Sequence, residues 1–487
     1  MNYVVEKELN KDIFLDEYEY FFTFLSDRFE FLTELWQKQL EKRFDKKFKP
    51  IWVLSAKQNN FFSKENYLII NKNLKGIMDR LAKNNIVYLL DSEDLNKEFS
   101  ESRKVKEIIN KLVEKQNRVF IVGFTSSCLH IENPKVKILG PDPSIATKFD
   151  NKIEHIKLFE KLGLPRNKTR IYETIKEIKE NEKCPFFISA AYTSGGHESK
   201  IVRTKEDLDI FYSSLREINK SNEFLVADFI ENVSLSPNVS AFVVDKDDVR
   251  IVCITDQILR NCYQYLGNIY PSKASKESEQ KIIETTKIIG NYLANLGFRG
   301  LFGLDFIIDE KENLYTVDLN PRRQGGYLCN VLISKKINIP EIELNLALNE
   351  EIPEFNYKDF QVDYVWAHTK IKPYYNPEGL QEIISCFSND KSNKPFIEIG
   401  KEFKYIFYPE KSLFCGGGVG CYIITGYSYE AILSKIKEKT EMILLDCVRH
   451  YSLIPILKKL PFQDRKYIIT TLELSSEEIS KKIKVQV

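Results

Sequence analysis

The chain has 487 residues, with 71 Lys and Arg against 70 Asp and Glu, so its net charge is +1. That balance speaks against a general nucleic-acid binder or a polybasic membrane-surface protein, although a local basic cleft stays open. At roughly 150 residues per domain the length predicts about three domains, and 43% hydrophobic with 29% charged residues fits a globular, non-membrane class.

No apolar run reaches the about 18 residues of a spanning helix, so no membrane partner is expected. Met1 to Asp16 mixes acidic, basic and apolar residues and lacks the order of a secretory signal. The nine Cys are scattered without a CxxC pair, which reads as reduced thiols in a cytoplasmic protein. Five His without an HExxH string give no dedicated zinc site.

In chain order, residues 17–47 carry Phe21, Phe24, Leu25, Phe29, Leu32, Leu35, Trp36 and Leu40 at spacings of three and four, which predicts an amphipathic helix. Buried strands are then expected at Ile51–Leu54, Tyr67–Ile70, Ile86–Leu90, Val119–Val122 and Val136–Leu139. Helices are expected at Asn73–Lys83 and Ser102–Lys115. The alternation implies βαβ units and a parallel sheet. Gly140-Pro141-Asp142-Pro143 marks a boundary, giving a first domain of 1–143 with the N-terminal helix.

The second domain, 144–348, opens with one helix carrying Lys148 and Lys152 and stopping at Gly163. Strand Phe186–Ala190 runs into Ser194-Gly195-Gly196. Helix Asp207–Ile218 and strands Phe224–Ile230, Val239–Val244 and Arg250–Asp256 follow, then helix Ser278–Leu296. Strands Gly303–Ile308 and Leu314–Leu319 form a hairpin. The third domain, 349–487, is α+β, with a strand at Tyr364–His368, a helix at Tyr429–Lys439 and a Gly416–Gly420 cluster. That cluster lacks the spacing of a dinucleotide fingerprint, so a loop near the acceptor site or a tight turn is expected.

The hairpin carries the chemistry. Asp305 stands on its first strand; Asp318 and Asn320, two apart on the second, share one face. Three oxygen donors from adjacent strands suit Mg²⁺, which completes its shell with water and phosphate. Arg322 and Arg323 follow Pro321, placed to contact phosphate or a substrate carboxylate.

The string Gly303-Leu304-Asp305-Phe306 with Val317-Asp318-Leu319-Asn320-Pro321-Arg322 resembles the metal-binding hairpin of the ATP-grasp superfamily. The order of parts is similar from about Ile51 to Leu348, a pre-ATP-grasp βαβ domain followed by a two-part clamp; with the C-terminal α+β domain the expected fold is α/β (α+β) overall. The resemblance implies ATP and Mg²⁺ as cofactors, with Mg²⁺ on Asp305, Asp318 and Asn320. It implies Lys152, or its competitor Lys148, on the phosphates. Ser194, Gly195 and Gly196 stand at the flexible phosphate loop, and Asp228 and Ile230 at the adenine-contacting strand. The activity implied is activation of a carboxylate as an acyl phosphate and its transfer to an amine. Arg322, Arg323 and Arg260 would face anionic groups; Arg260 reads equally as a surface arginine.

This chain departs from the family pattern in places. Ser189 stands where the family commonly has a Lys, leaving Lys200 or His197 as substitutes, and Asp318 replaces the more usual Glu. The segments Asp256–Arg260 and Gly267–Pro271, with the long C-terminal region, look similar to the amino-acid-ligating branch of natural-product pathways. The expected partners are therefore small carboxylates and amines, amino acids among them, with a carrier-protein thiol as the alternative acceptor and a non-catalytic ATP-binding scaffold as the alternative class. The resemblance allows a homodimer and leaves the oligomeric state open.

Overall fold

The computed structural model describes residues 5–8, 13–25, 30–55, 66–71, 90, 92–193, 196, 198–213, 215, 223–260, 262–334, 336–360, 362, 365–371, 397–399, 403–407, 420–426 and 428–432. The expected helix Asn73–Lys83, most of the strand Ile86–Leu90, Ser194, Gly195, His197 and all of the Gly416–Gly420 cluster but its last residue lie outside these residues.

The first sheet holds β1 (Val5–Glu8), β2 (Glu19–Thr23), β3 (Phe48–Leu54), β4 (Tyr67–Ile70), β5 (Val119–Val122) and β6 (Val136–Leu139), in the spatial order β1-β4-β3-β2-β5-β6. All neighbours are parallel except the β1–β4 edge pair. This confirms the βαβ reading and corrects one part of it. Phe21 lies in a strand, with Phe24 and Leu25 just past its end, and the helix begins only at Glu30 and runs to Phe44. The reason is burial on both faces: Tyr20, Phe21 and Phe22 are all fully buried at the sheet centre, so the run has no polar face to show its period.

The second sheet is small and antiparallel: β7 (Thr169–Tyr172), β8 (Phe186–Ala190), β9 (Ser199–Val202) and β10 (Phe224–Asp228), ordered β7-β10-β8-β9. The third contains β11 (Val233–Leu235), β12 (Pro237–Asp245), β13 (Asp248–Arg260), β14 (Gln264–Tyr270), β15 (Gly300–Asp309), β16 (Leu314–Asn320), β17 (Val365–Ile371), β18 (Ile397–Ile399), β19 (Phe403–Phe407) and β20 (Gly420–Gly426). β17 pairs with β14 and then with β20, so strands beyond residue 349 extend the sheet that carries the hairpin.

The expected single lysine helix is two, Pro143–Phe149 and Lys152–Lys161. The break comes from capping. Asn151 adopts an extended conformation and its side chain accepts the Ile153 N–H, which starts a new helix rather than continuing the old one. One apolar cluster joins the first region to the last described helices, with Trp36, Phe120 and Leu139 packed together with Tyr327, Ile342 and Leu344. Among the described residues no helix is long and apolar enough to cross a membrane.

Candidate functional site

The hairpin turn is closed by Asp309, whose carboxylate accepts the Lys311 and Asn313 N–H groups at 2.8 and 2.9 Å. Leu304, Phe306, Leu314 and Leu319 bury one face of β15 and β16 in the core. Alternation then turns Asp305, Asp318 and Asn320 to the other face. Asp305 and Asp318 are direct cross-strand partners, and Asn320 stands opposite Gly303. A Cβ at Gly303 would collide with the Gln324 carboxamide, so glycine there lets the chain after Asn320 fold back over the strand.

The charges are unevenly matched. Lys152 Nζ lies 2.6 Å from Asp318 Oδ1, and His155 Nδ1 lies 3.0 Å from the same oxygen. Asp305 forms no ion pair among the described residues: its carboxylate accepts from Asn238 Nδ2 at 2.5 Å and Asn320 Nδ2 at 3.3 Å. Burial and the facing Asp318 charge push the Asp305 carboxyl up. Burial works against ionisation of Asp318 as well, yet Lys152 and His155 hold it below the usual carboxylate range.

The two arginines after Pro321 separate. Arg322 Nε donates to Asp150 Oδ1 at 3.1 Å, and Ser127 donates to the other Asp150 oxygen. Arg323 points away from the acids. It pairs with Glu343 at 2.9 Å, donates to the Gly123 and Leu139 carbonyls, and lies over the Trp36 and Tyr327 rings. At 3% exposure it is a buried staple between the hairpin sheet and the carboxyl ends of β5 and β6. The expectation of a phosphate-facing Arg323 is corrected accordingly; its own counter-charge, Glu343, is buried with it.

On the lysine helix, Lys152 reaches the acids, whereas Lys148 is exposed and lies 5.4 Å from the Phe149 ring. The Lys152 N–H donates to the Ala191 carbonyl at 2.9 Å, so this helix also anchors the end of β8, where the glycine loop begins. Gly196 takes a left-handed φ of +76°, which its missing Cβ permits. Ser189 is buried and shares a hydrogen bond of 2.9 Å with Ser199. Lys200 is engaged by Asp207 at 3.0 Å. Asp228 ends β10, half exposed, and binds Arg170 at 2.6 Å; Ile230 follows, partly buried. Arg260 is the last residue of β13, paired in register with Gln264.

Three residues of the cluster escaped the sequence reading. His155 is legible afterwards as a residue one turn from Lys152 on the same helix face. Asp150 and Asn238 carry no motif; only tertiary pairing brings them to Arg322 and Asp305.

The donor set fits Mg²⁺. Two facing carboxylates stand near one ammonium, which pairs with Asp318, and an amide stands beside them that presents its oxygen after a half-turn. Among the described residues no group of three His, Cys, Asp or Glu forms a denser metal cage. A hard cation that keeps water and phosphate oxygens as ligands needs no such cage.

Residues 165–320 match the family model for L-aspartate--L-methionine ligase, ATP grasp. The carbamoyl phosphate synthase large chain of Clostridium botulinum (strain Loch Maree / Type A3) is 24% identical over 433 residues, 82% of this chain and 37% of that one. The chain thus spans little more than a third of that relative's length. The L-propargylglycine--L-glutamate ligase of Streptantibioticus cattleyicolor is 28% identical over 129 residues, 26% of each chain. Among solved structures, the biotin carboxylase domain of Hydrogenobacter thermophilus 2-oxoglutarate carboxylase, in complex with MgADP and bicarbonate, superposes with a TM-score of 0.60 at 16% identity, covering 86% of this chain and 89% of that one. An ADP complex of N5-carboxyaminoimidazole ribonucleotide synthetase gives 0.56 at 13% identity, covering 87% and 96%. The match to an ATP-grasp family model spans residues 165–320, which hold the four-stranded sheet and the hairpin, and the chain as a whole shares the fold of these solved structures.

Proposed function

We propose that the chain is an ATP-dependent, ADP-forming carboxylate–amine ligase whose substrates are amino acids. The observation that carries this is the convergence of Asp305, Asp318 and Asn320 on one hairpin face beside Lys152 and Arg322. The amino-acid choice draws on the matched ligase model and on the ligase relative.

In this reading Asp305, Asp318 and Asn320 hold Mg²⁺, which when bound neutralises charge on the phosphates of ATP. Lys152 leaves Asp318 and places its point charge on phosphate. Arg322, kept by Asp150 at the edge of the acids, stabilises the anionic acyl phosphate and the tetrahedral species formed when an amine attacks it. The amine then loses a proton and phosphate departs, leaving an amide. Water must be kept from the acyl phosphate, which it would otherwise hydrolyse.

The test is an ADP-release screen over amino acids, singly and in pairs, with mass detection of the product. Release that depends on a pair and yields the dipeptide mass supports the reading. Asp318→Ala is expected to abolish it, a loss on the order of 10³-fold; undiminished release in that folded variant refutes the metal assignment. Release only on addition of a carrier protein would move the acceptor to a thiol. A second reading, ATP binding without turnover, is favoured by one observation: Ser189 is neutral and satisfied by Ser199 where a phosphate-binding cation is usual. ATP-stabilised melting without release under any substrate would select it.

A further inference from the structure

We infer that Asn238 is a positioning residue for Asp305, oriented by a side-chain relay that runs through Thr255 and Asn268 to Tyr265. The inference rests on the reading of Asp305 as a metal ligand. The relay crosses three strands. Tyr265 on β14 donates its hydroxyl proton to Asn268 Oδ1. Asn268 Nδ2 donates to Thr255 Oγ1 on β13 at 2.7 Å. Thr255 in turn faces Asn238 Oδ1 and the Asn238 carbonyl on β12, each at 3.5 Å. Asn238 Nδ2 then donates to Asp305 Oδ1 at 2.5 Å.

Each link fixes the polarity of the next. A hydroxyl has a single proton, so Thr255, having accepted from Asn268, turns its own proton toward Asn238. That leaves the Asn238 amide oxygen facing Thr255 and its NH₂ facing Asp305; the reverse orientation would set oxygen against oxygen. Tyr265 fixes Asn268 in the same way. Asn238, Thr255 and Asn268 are 5%, 3% and 1% exposed, so water does not replace a lost link at low cost. All members are neutral, so the relay orients the carboxylate without a counter-charge that would compete with a cation.

The outer end of the relay lies under the loop that follows Asn320-Pro321-Arg322. A Cβ on Gly325 would collide with the Tyr265 ring, and one on Gly326 would touch Asn268 Oδ1 at 3.2 Å. The relay therefore spans from the loop beyond the hairpin to the acid on its first strand. It also gives a role to the β13–β14 segment, which the proposed chemistry leaves unused.

The experiment uses the full chain and Mn²⁺ as probe, with binding in the presence of ADP followed by the electron paramagnetic resonance of free Mn²⁺. ADP binding in EDTA and the unliganded melting temperature are measured alongside. Asp305→Asn is expected to weaken Mn²⁺ binding by at least about 100-fold and Asn238→Ala by about 10- to 100-fold. Thr255→Val, isosteric and out of contact with Asp305, is expected to weaken it several-fold while ADP binding in EDTA is unchanged. If Asn238→Ala is unfolded, Thr255→Val decides. Wild-type Mn²⁺ affinity in Asn238→Ala and Thr255→Val, with affinity lost in Asp305→Asn, overturns the positioning role alone. Wild-type affinity in Asp305→Asn overturns the metal reading and the relay with it.

Discussion

The four-stranded sheet and the hairpin of the large sheet both meet the helix Lys152–Lys161, but they treat charge in opposite ways. On the four-stranded sheet every described polar position of the expected nucleotide contact is satisfied locally. Ser189 bonds Ser199, Lys200 pairs with Asp207, and Asp228 shares Arg170 with Glu182. On the hairpin two carboxylates face each other, and Lys152 pairs with Asp318 alone of the two. Groups that are already paired hold a shape, whereas crowded like charges create a demand for a ligand. On the proposed function, the small sheet supplies shape, and the hairpin with its lysine helix supplies charge recognition.

That division can be broken most sharply at the paired arginines. Arg323→Met leaves Glu343 buried without its partner and is expected to cost about 3–5 kcal/mol of stability, read as a lowered urea midpoint. Adding Glu343→Leu should recover most of that loss. Arg322→Met, whose partner Asp150 is less deeply buried and keeps its bond from Ser127, is expected to lower the midpoint less than Arg323→Met does while losing turnover; the converse pattern would exchange the two roles.

Next in size is Lys152→Met, expected to lower ADP release by on the order of 10²–10³-fold. Ser189→Ala is expected to stay within about twofold, as for a replacement away from charge. Equal losses in the two variants would erase the contrast between the sheets.

The smallest effect sharpens the small-sheet side. Glu182 accepts from Arg170 at 2.8 Å and from the Tyr172 hydroxyl at 2.5 Å. Its burial disfavours the charge, but these bonds outweigh it and lower its pKa. A lowered carboxyl stabilises the fold above the ordinary Glu range near about 4.3, and that stabilisation is lost as pH falls through the lowered value. Glu182→Gln is thus expected to cost about 1.5–3 kcal/mol at pH 7. The gap to wild type should narrow in denaturation at acid pH; a gap that widens there would refute the assignment.

Much of the hairpin was legible because its information is local. A two-residue period puts Asp318 and Asn320 on one face, and the acidic turn Asp309–Asn313 forces the strands together. The run Glu19–Thr23 was misread for the opposite reason. A strand buried on both faces displays no alternation, and its aromatics happen to continue the three-and-four spacing of the helix beyond. The choice between Lys148 and Lys152 was likewise open, because one helix carries both lysines until the Asn151 cap splits it and aims only the second at Asp318.

By itself the sequence determined the alternation of strands and helices, the hairpin and the identity of its acids, since these depend on neighbours a few residues apart. Only the tertiary structure decided that Arg322 stays at the site while Arg323 becomes a buried staple. The two are adjacent in the chain and identical in chemistry. What separates them is Asp150 on one side and Glu343 with two backbone carbonyls on the other. Asn238 is a further case: it precedes Asp305 by 67 residues, and strand pairing alone brings its amide to that carboxylate. Long-range pairing of buried polar groups is set by which surfaces pack, and no local period or composition encodes it.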